Sequence, residues 1–62
     1  MKNKVKTLRQ QRQLTQQQLA DELAVSRQTI NSIETEKYEP SLQLAFGLAK
    51  YFGVKIEDIF RP

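Results

Sequence analysis

Residues 14–34 read LTQQQLADELAVSRQTINSIE, and the first half of this stretch has the features of a short, capped helix. Thr15 is a suitable N-cap residue, and Gln18 three positions later completes a Thr-x-x-Gln capping box. The apolar residues that follow recur at the spacing of one helical face; they are Leu19, Ala20 and Leu23. These signals predict a helix that begins at Thr15.

The second half of the stretch predicts another short helix. Ser26 is again an N-cap residue, and Ile30 and Ile33 follow at i, i+3 spacing on one face. Only residues 24–25 separate this segment from the one before it, and two helices joined by so short a turn cannot lie antiparallel. They must cross steeply, which predicts a helix-turn-helix unit in which the small Ala20 allows close approach.

The outward face of this second helix consists of short, uncharged side chains that form hydrogen bonds. When both isoleucines point inward, a rotation of about 100° per residue turns the polar side chains outward; they are Gln28, Thr29, Asn31, Ser32 and Thr35. Gln pairs bidentately with adenine, and Asn, Ser and Thr pair with several base edges in a major groove. Arg27 can reach a guanine or a phosphate, and residues 26–33 contain no carboxylate. A solvated helix surface has a similar composition, so this face alone leaves both interpretations open.

The rest of the chain predicts three further helices and no strand. The first segment runs from about Asn3 to Gln13, the fourth from Leu42 to Phe52 after an N-cap at Ser41, and the last from Ile56 to Phe60. One apolar stripe marks the fourth helix, at Leu42, Ala45, Leu48, Ala49 and Phe52. Because there is no linker and no repeat, we predict an all-α fold of five short helices in a single domain over residues 1–62.

Composition excludes several classes of function. The 62 residues include no cysteine and no histidine, which rules out a disulfide, a Cys/His zinc site and a Ser-His-Asp triad. Glu57 and Asp58 are neighbours on a helix and do not converge on one point, so they do not form an acid–base pair. We therefore expect no enzyme activity, no metal and no cofactor. No run approaches the roughly 20 apolar residues of a membrane span, so the expected location is the cytoplasm.

Charge is unevenly distributed along the chain. Residues 1–31 carry six basic and two acidic side chains, whereas residues 32–62 carry four basic and five acidic ones. A positive half attracts phosphate or an anionic membrane surface, although a solvated face has the same composition. The predicted helix N-terminus at Gln16 adds free backbone N–H groups and a positive dipole end, both of which suit phosphate.

Two further motifs follow residues 14–20 and 25–34: YEPSL at residues 38–42 and FGVKIEDIF at residues 52–60. Together these four stretches resemble the XRE family, the Cro/lambda-repressor-like helix-turn-helix DNA-binding proteins. The resemblance spans nearly the whole chain and is closest in kind to compact single-domain bacterial and phage repressors. It implies a lambda-repressor-like domain whose third helix enters the major groove.

The resemblance also implies DNA contacts residue by residue. The implied base contacts are Arg27, Gln28 and Ser32, with Asn31 suited to a base or a phosphate. The implied phosphate contacts are Gln16, Ser26, Thr29, Lys37 and Tyr38. An internal ion pair between Arg9 and Glu34 is implied as well, and it would hold the third helix against the first. The chain departs from the family pattern where glycines are common, at Ala24 in the turn and at Glu36 after the third helix.

Dimerisation is a further implication, because helix-turn-helix repressors of this class read two half-sites about 34 Å apart. The C-terminal part of the chain supplies apolar candidates for such a contact: Tyr51, Phe52, Ile59 and Phe60. These side chains would either complete a small core or contribute in part to a symmetric dimer contact.

We therefore predict a transcriptional regulator that binds a palindromic operator in double-stranded DNA as a homodimer and acts as a repressor. The chain has no room for a ligand-sensing domain, so no small-molecule effector and no membrane partner is expected. An antitoxin that binds a toxin as well as DNA is the alternative. A pure protein-interaction module would need an apolar or acidic outer face on the third helix, and this sequence has neither.

Overall fold

Five helices and two very short strands form the part of the chain that this computed structural model describes, residues 1–61. In chain order the elements are β1 (Lys2–Asn3), α1 (Val5–Gln11), α2 (Gln16–Glu22), α3 (Arg27–Glu34), α4 (Leu42–Phe52), α5 (Ile56–Ile59) and β2 (Phe60–Arg61). The five predicted helices are confirmed, and α2 with α3 forms the predicted helix-turn-helix unit. Within this described range, no helix is long and apolar enough to cross a membrane.

The two strands correct the prediction of a chain without strands. β1 and β2 pair antiparallel, with Lys2 opposite Arg61 and Asn3 opposite Phe60. Two-residue strands at opposite ends of a chain are too short to show a periodic pattern in the sequence. Asn3, predicted to start the first helix, instead lies in β1, and its Oδ1 accepts a hydrogen bond from the Val5 backbone N–H at 3.1 Å.

Side-chain caps begin three of the helices, as predicted. In α2, Thr15 Oγ1 accepts a hydrogen bond from the Gln18 backbone N–H at 3.0 Å, and Gln18 Oε1 accepts one from the Thr15 N–H at 2.8 Å. Ser26 caps α3 and Ser41 caps α4, each through a hydroxyl oxygen that accepts a backbone N–H at 3.1 Å. A cap of this kind is worth about 1 kcal/mol, because it satisfies an N–H group that has no partner inside the helix.

All five helices contribute to one hydrophobic core. Its buried side chains are Val5, Leu19, Ala20, Ile30, Ile33, Ala45, Leu48, Ala49, Phe52, Ile59 and Phe60. Three of the four candidate dimer residues, Phe52, Ile59 and Phe60, are buried and complete the core, which is the first of the two alternatives given for them. The fourth, Tyr51, is half-buried, with the Arg12 guanidinium 5.5 Å from its ring centroid.

The apolar stripe of α4 is shorter than predicted. Its core-facing members are Ala45, Leu48, Ala49 and Phe52. Leu42 occupies the first turn of the helix and is 69% exposed, so its assignment to the packed stripe is wrong. Periodicity gives the direction of a side chain around a helix but does not show whether another element lies opposite it.

Three non-glycine residues hold tight turns in the left-handed backbone conformation. Gln13, Ala24 and Glu36 have φ angles of 58°, 56° and 64°. The family resemblance predicts glycine at the last two positions, and the backbone keeps the conformation that glycine would favour. A side chain in this conformation costs about 1–2 kcal/mol per residue, so the turns on either side of α3 are strained.

We expect the two glycines of this chain to respond in opposite ways to substitution by alanine, one raising and the other lowering the stability of the fold. A Cβ at Gly47, inside α4, would lie 3.8 Å from Leu23 Cδ2, an ordinary contact, so Gly47→Ala should stabilise the fold by about 1 kcal/mol. Gly53 ends α4 with φ at 69°, so Gly53→Ala should destabilise it by about 1 kcal/mol although the space is open. Urea denaturation measures both, and shifts of equal sign would contradict this assignment.

Candidate nucleic-acid interface

Helix α3 turns its polar side to the solvent, because its two isoleucines are buried in the core. Arg27, Gln28 and Asn31 are exposed, and Ser32 is half-buried. Positions 27, 28, 31 and 32 fall within one side of an α-helix. The structure thus brings the four predicted base-contact residues together on one accessible surface.

A shallow concavity of about 240 Å³ lies along this surface. It is lined by Ser26, Gln28, Thr29, Ser32 and Tyr38, so predicted base and phosphate contacts share it. Tyr38 is exposed and lies after the end of α3 in sequence. Hydroxyl groups dominate the helix N-terminus, where the Ser26 and Thr29 side-chain oxygens are 2.8 Å apart.

Lys37 is the remaining predicted phosphate contact, and it lies in the turn that ends α3. Its backbone N–H donates to the Ser32 carbonyl at 2.9 Å, while the Glu36 N–H donates to the Ile33 carbonyl at 3.0 Å. This pair of bonds is a Schellman motif with Glu36 in the left-handed position. The Lys37 side chain is exposed at the C-terminal end of α3, close in sequence to the negative charge of Glu36.

The polar side of α3 keeps its one carboxylate away from the solvent. Glu34 accepts two hydrogen bonds from the Arg9 guanidinium, from Nε at 2.7 Å and from Nη2 at 3.0 Å. The side chains of Arg9 and Glu34 are only 11% and 3% exposed. The hydrogen bond to Glu34 raises the pKa of Arg9 above its usual value, despite the opposing effect of partial burial. Arg9 therefore keeps its positive charge beside the Glu34 carboxylate.

The same ion pair joins several elements of the fold. The third Arg9 contact runs from Nη1 to the Leu14 carbonyl at 2.8 Å, in the loop that leads into α2. Gln16, the first residue of α2, donates from Nε2 to Glu34 Oε1 at 3.0 Å and to Asn31 Oδ1 at 3.1 Å. Helices α1, α2 and α3 thus meet in one hydrogen-bonded cluster around the Glu34 carboxylate.

Sequence reasoning assigned Gln16 to phosphate and missed its role inside the fold. Both hydrogens of its side-chain amide have protein acceptors, so the side chain positions α3, and its backbone N–H is the group left for an anion. Because Asn31 Oδ1 accepts from Gln16, the Asn31 amide NH₂ is the group that can donate outward. Fifteen residues separate the two partners, and no local pattern signals their pairing.

Asn3 is a second positioning residue that sequence reasoning missed. Its Nδ2 donates to the Ile33 carbonyl in the last turn of α3 at 2.8 Å, across thirty positions of sequence. The N-terminal strand therefore holds the C-terminal end of α3 while the Ser26 cap holds the other end.

Comparisons with known proteins show what this chain is similar to. A family model described as Helix-turn-helix matches residues 5–59. An uncharacterized HTH-type transcriptional regulator of Methanocaldococcus jannaschii is 65% identical over 60 residues, 97% of this chain and 91% of that protein. YgzD of Bacillus subtilis, also an uncharacterized HTH-type regulator, is 47% identical over the same shares of the two chains. The immunity repressor of Bacillus phage phi105 is 36% identical over 56 residues, 90% of this chain and 39% of the repressor.

Removal of one partner of the buried ion pair should strongly lower the free energy of unfolding. Arg9→Ala leaves the Glu34 carboxylate buried without a cation, and such a loss costs about 3–5 kcal/mol. We expect the melting temperature, followed by circular dichroism, to fall by more than about 10 °C. The double variant Arg9→Met with Glu34→Met should recover most of the loss, because no uncompensated charge is left. The exposed Lys6→Met is the control, and a melting curve for Arg9→Ala that matches the control would contradict this role.

Proposed function

Because this chain belongs to the XRE family of helix-turn-helix transcriptional regulators, we propose that it is a sequence-specific repressor that binds double-stranded DNA as a homodimer, with α3 in the major groove. The observation that carries this proposal is the exposed polar side of α3. Its side chains are uncharged hydrogen-bonding groups next to Arg27, and its one carboxylate is turned inward and neutralised by Arg9. Nothing on this surface repels phosphate, and every group on it can bond to a base edge.

Base reading falls to the exposed polar side of α3. Gln28 suits a bidentate contact with adenine, and Arg27 suits guanine. Asn31 presents its amide as a donor because Gln16 occupies its oxygen. Ser32 is half-buried in the concavity, so it contacts a base only where α3 lies deep in the groove.

Phosphate contacts would lie on both sides of these base-contact residues. Ser26 and Thr29 offer hydroxyl groups at the N-terminal end of α3, and Gln16 offers a backbone N–H at the start of α2. Lys37 and Tyr38 are exposed after the C-terminal end of α3. Such contacts fix the register of a protein on the duplex without reading its sequence.

Repression follows from occupancy of the operator, because a protein seated in the major groove blocks access to the promoter. The name of the phage phi105 relative, an immunity repressor, supports this sign of regulation. A palindromic operator matches a two-fold dimer, with half-sites about 34 Å apart along one face of the DNA. A chromosomal operator places this activity in the cytoplasm.

Selection from a pool of random duplex DNA at about physiological salt tests the proposal. After sequencing of the bound fraction, we expect enrichment of an inverted repeat with half-sites spaced by one helical turn. A folded protein that enriches no sequence would overturn sequence-specific binding, and enrichment of a single unrepeated site would overturn the dimeric operator.

Gln28→Ala separates base reading from general affinity for DNA. On the selected site we expect a loss of about 1–3 kcal/mol, because a bidentate contact with a base is removed. Binding to random duplex should change little, because the phosphate contacts remain. Fluorescence anisotropy titrations of both duplexes make the comparison, with the exposed Gln10→Ala on α1 as the control. Equal losses on both duplexes would contradict base reading by Gln28.

A further inference from the structure

Asn31 is the exposed residue at which the predicted base-contact surface meets the buried ion pair of Arg9 and Glu34. Its Oδ1 accepts a hydrogen bond from Gln16 Nε2 at 3.1 Å, and the same Gln16 nitrogen donates to Glu34 Oε1 at 3.0 Å. The Asn31 side chain is nonetheless exposed. A continuous series of hydrogen bonds therefore runs from the buried ion pair through Gln16 to a side chain that faces the solvent.

The direction of each hydrogen bond in this series is set at its buried end. The Arg9 guanidinium has only donors, and it gives two of them to the Glu34 carboxylate. A carboxylate has only acceptors, so the group of Gln16 that meets Glu34 Oε1 must be the NH₂ and not the amide oxygen. The second hydrogen of that NH₂ then needs an acceptor, and Asn31 Oδ1 supplies it.

The Asn31 amide is consequently fixed in one of its two orientations. If it turned over, Nδ2 would take the position of Oδ1, 3.1 Å from the Gln16 nitrogen. Two NH₂ groups would then face each other without an acceptor between them, and the half-buried Gln16 would keep an unsatisfied hydrogen. In the observed orientation both Gln16 hydrogens are bonded, and the Asn31 NH₂ is directed away from Gln16. Helix α3 thus offers hydrogen-bond donors at this position.

Base edges differ in how well they meet an outward NH₂ group. In the major groove guanine presents two acceptors, N7 and O6, and thymine presents one, O4. Adenine places its N6 amino group beside its N7 acceptor, and cytosine presents only an amino group. The bidentate adenine contact, in which asparagine accepts from N6, would require the Asn31 oxygen to leave Gln16 and turn toward the base. The orientation of Asn31 therefore favours guanine most and disfavours adenine and cytosine.

We propose that Gln16 is a positioning residue that fixes Asn31 as a hydrogen-bond donor and so makes guanine, rather than adenine, the preferred base at the pair that Asn31 reads. This preference rests on the proposed function, because it requires α3 to read bases in the major groove. The NH₂ of the Gln16 side chain is used within the fold and leaves a phosphate contact to the backbone N–H. The buried ion pair then has a consequence beyond stability, since the acceptors of Glu34 set which base is read.

Proton exchange of the side-chain amides in the free, ¹⁵N-labelled chain tests the orientation without DNA. We expect the Gln16 NH₂ protons to exchange with water about 10-fold more slowly than those of Asn31, because both Gln16 hydrogens are bonded. Gln16→Met, which has a similar length but no donor, should shift the Asn31 side-chain ¹⁵N signal. Gln17→Met is the matched control and should leave that signal in place, since Gln17 Nε2 bonds to Asp21 within α2 at 2.9 Å. Asn31 protons as protected as those of Gln16 would overturn the orientation.

Titrations of duplexes that differ at one base pair of the selected half-site test the base preference. The pair read by Asn31 is identified as the one at which Asn31→Ala loses its preference among the four bases. At that pair we expect the wild-type chain to bind guanine about 10-fold more tightly than adenine. Gln16→Met frees the Asn31 oxygen to accept from adenine N6, so this ratio should fall close to unity. Gln17→Met should keep the wild-type ratio.

The guanine-to-adenine ratio separates positioning by Gln16 from a purely structural role or a phosphate contact. Either of these would weaken binding of Gln16→Met to all four duplexes by the same factor, and an unchanged ratio would overturn the proposal. A wild-type preference for adenine at this pair would overturn it as well, and so would an Asn31→Ala variant that keeps the wild-type preference at every pair. Both wild-type measurements decide the matter even where Gln16→Met does not fold. If the wild-type chain selects no sequence, the proposed function fails together with the base preference, while proton exchange still decides the orientation of Asn31.

Discussion

The ion pair between Arg9 and Glu34 is the constraint on which the presentation of α3 depends. A carboxylate that is 3% exposed is costly unless it is paired, and one guanidinium supplies two charge-assisted hydrogen bonds to it. Arg9 lies on α1 and also holds the Leu14 carbonyl before α2, so the pair ties three consecutive segments to the end of α3. Gln16, the first residue of α2, also donates a hydrogen bond to Glu34, so α2 itself is joined to the end of α3. Helix α3 has only eight residues, and its orientation is fixed by bonds made on its inner side.

The ends of α3 are held as firmly as its middle. Ser26 caps the N-terminus of α3. At the last turn of the helix, Asn3 Nδ2 donates a hydrogen bond to the Ile33 carbonyl. The N-terminal strand that carries Asn3 is itself paired with the C-terminal strand. A short chain without disulfides thus uses its two termini to brace its functional element. The outer side chains Arg27, Gln28 and Asn31 of α3 remain exposed to solvent, while the inner side chains and both ends of the helix have partners within the fold.

Local signals predicted the parts of the fold that depend on near neighbours. The capping box at Thr15, the caps at Ser26 and Ser41, and the inward isoleucines of α3 could all be identified from spacing alone. Contacts between distant segments could not be identified in this way. The Gln16 bonds, the Asn3 bond and the strand pair join residues that are 15 to about 60 positions apart. The exposure of Leu42 and Phe46 depends on what lies opposite α4, which periodicity does not report. The DNA contacts stay a prediction, but the grouping of the candidate base-contact residues on one surface could be predicted because they all lie on one helix.

The central claim is that the outer side of α3, held from within by Arg9 and Glu34, is the surface that meets DNA. Titration of the ¹⁵N-labelled chain with duplex DNA, followed by amide chemical shifts, tests it most directly. The account predicts that the largest changes fall on residues 26–38 and on the Gln16 backbone amide, with small changes in α5. Changes concentrated in α4 and α5 on a single half-site, with residues 26–32 unaffected, would contradict it.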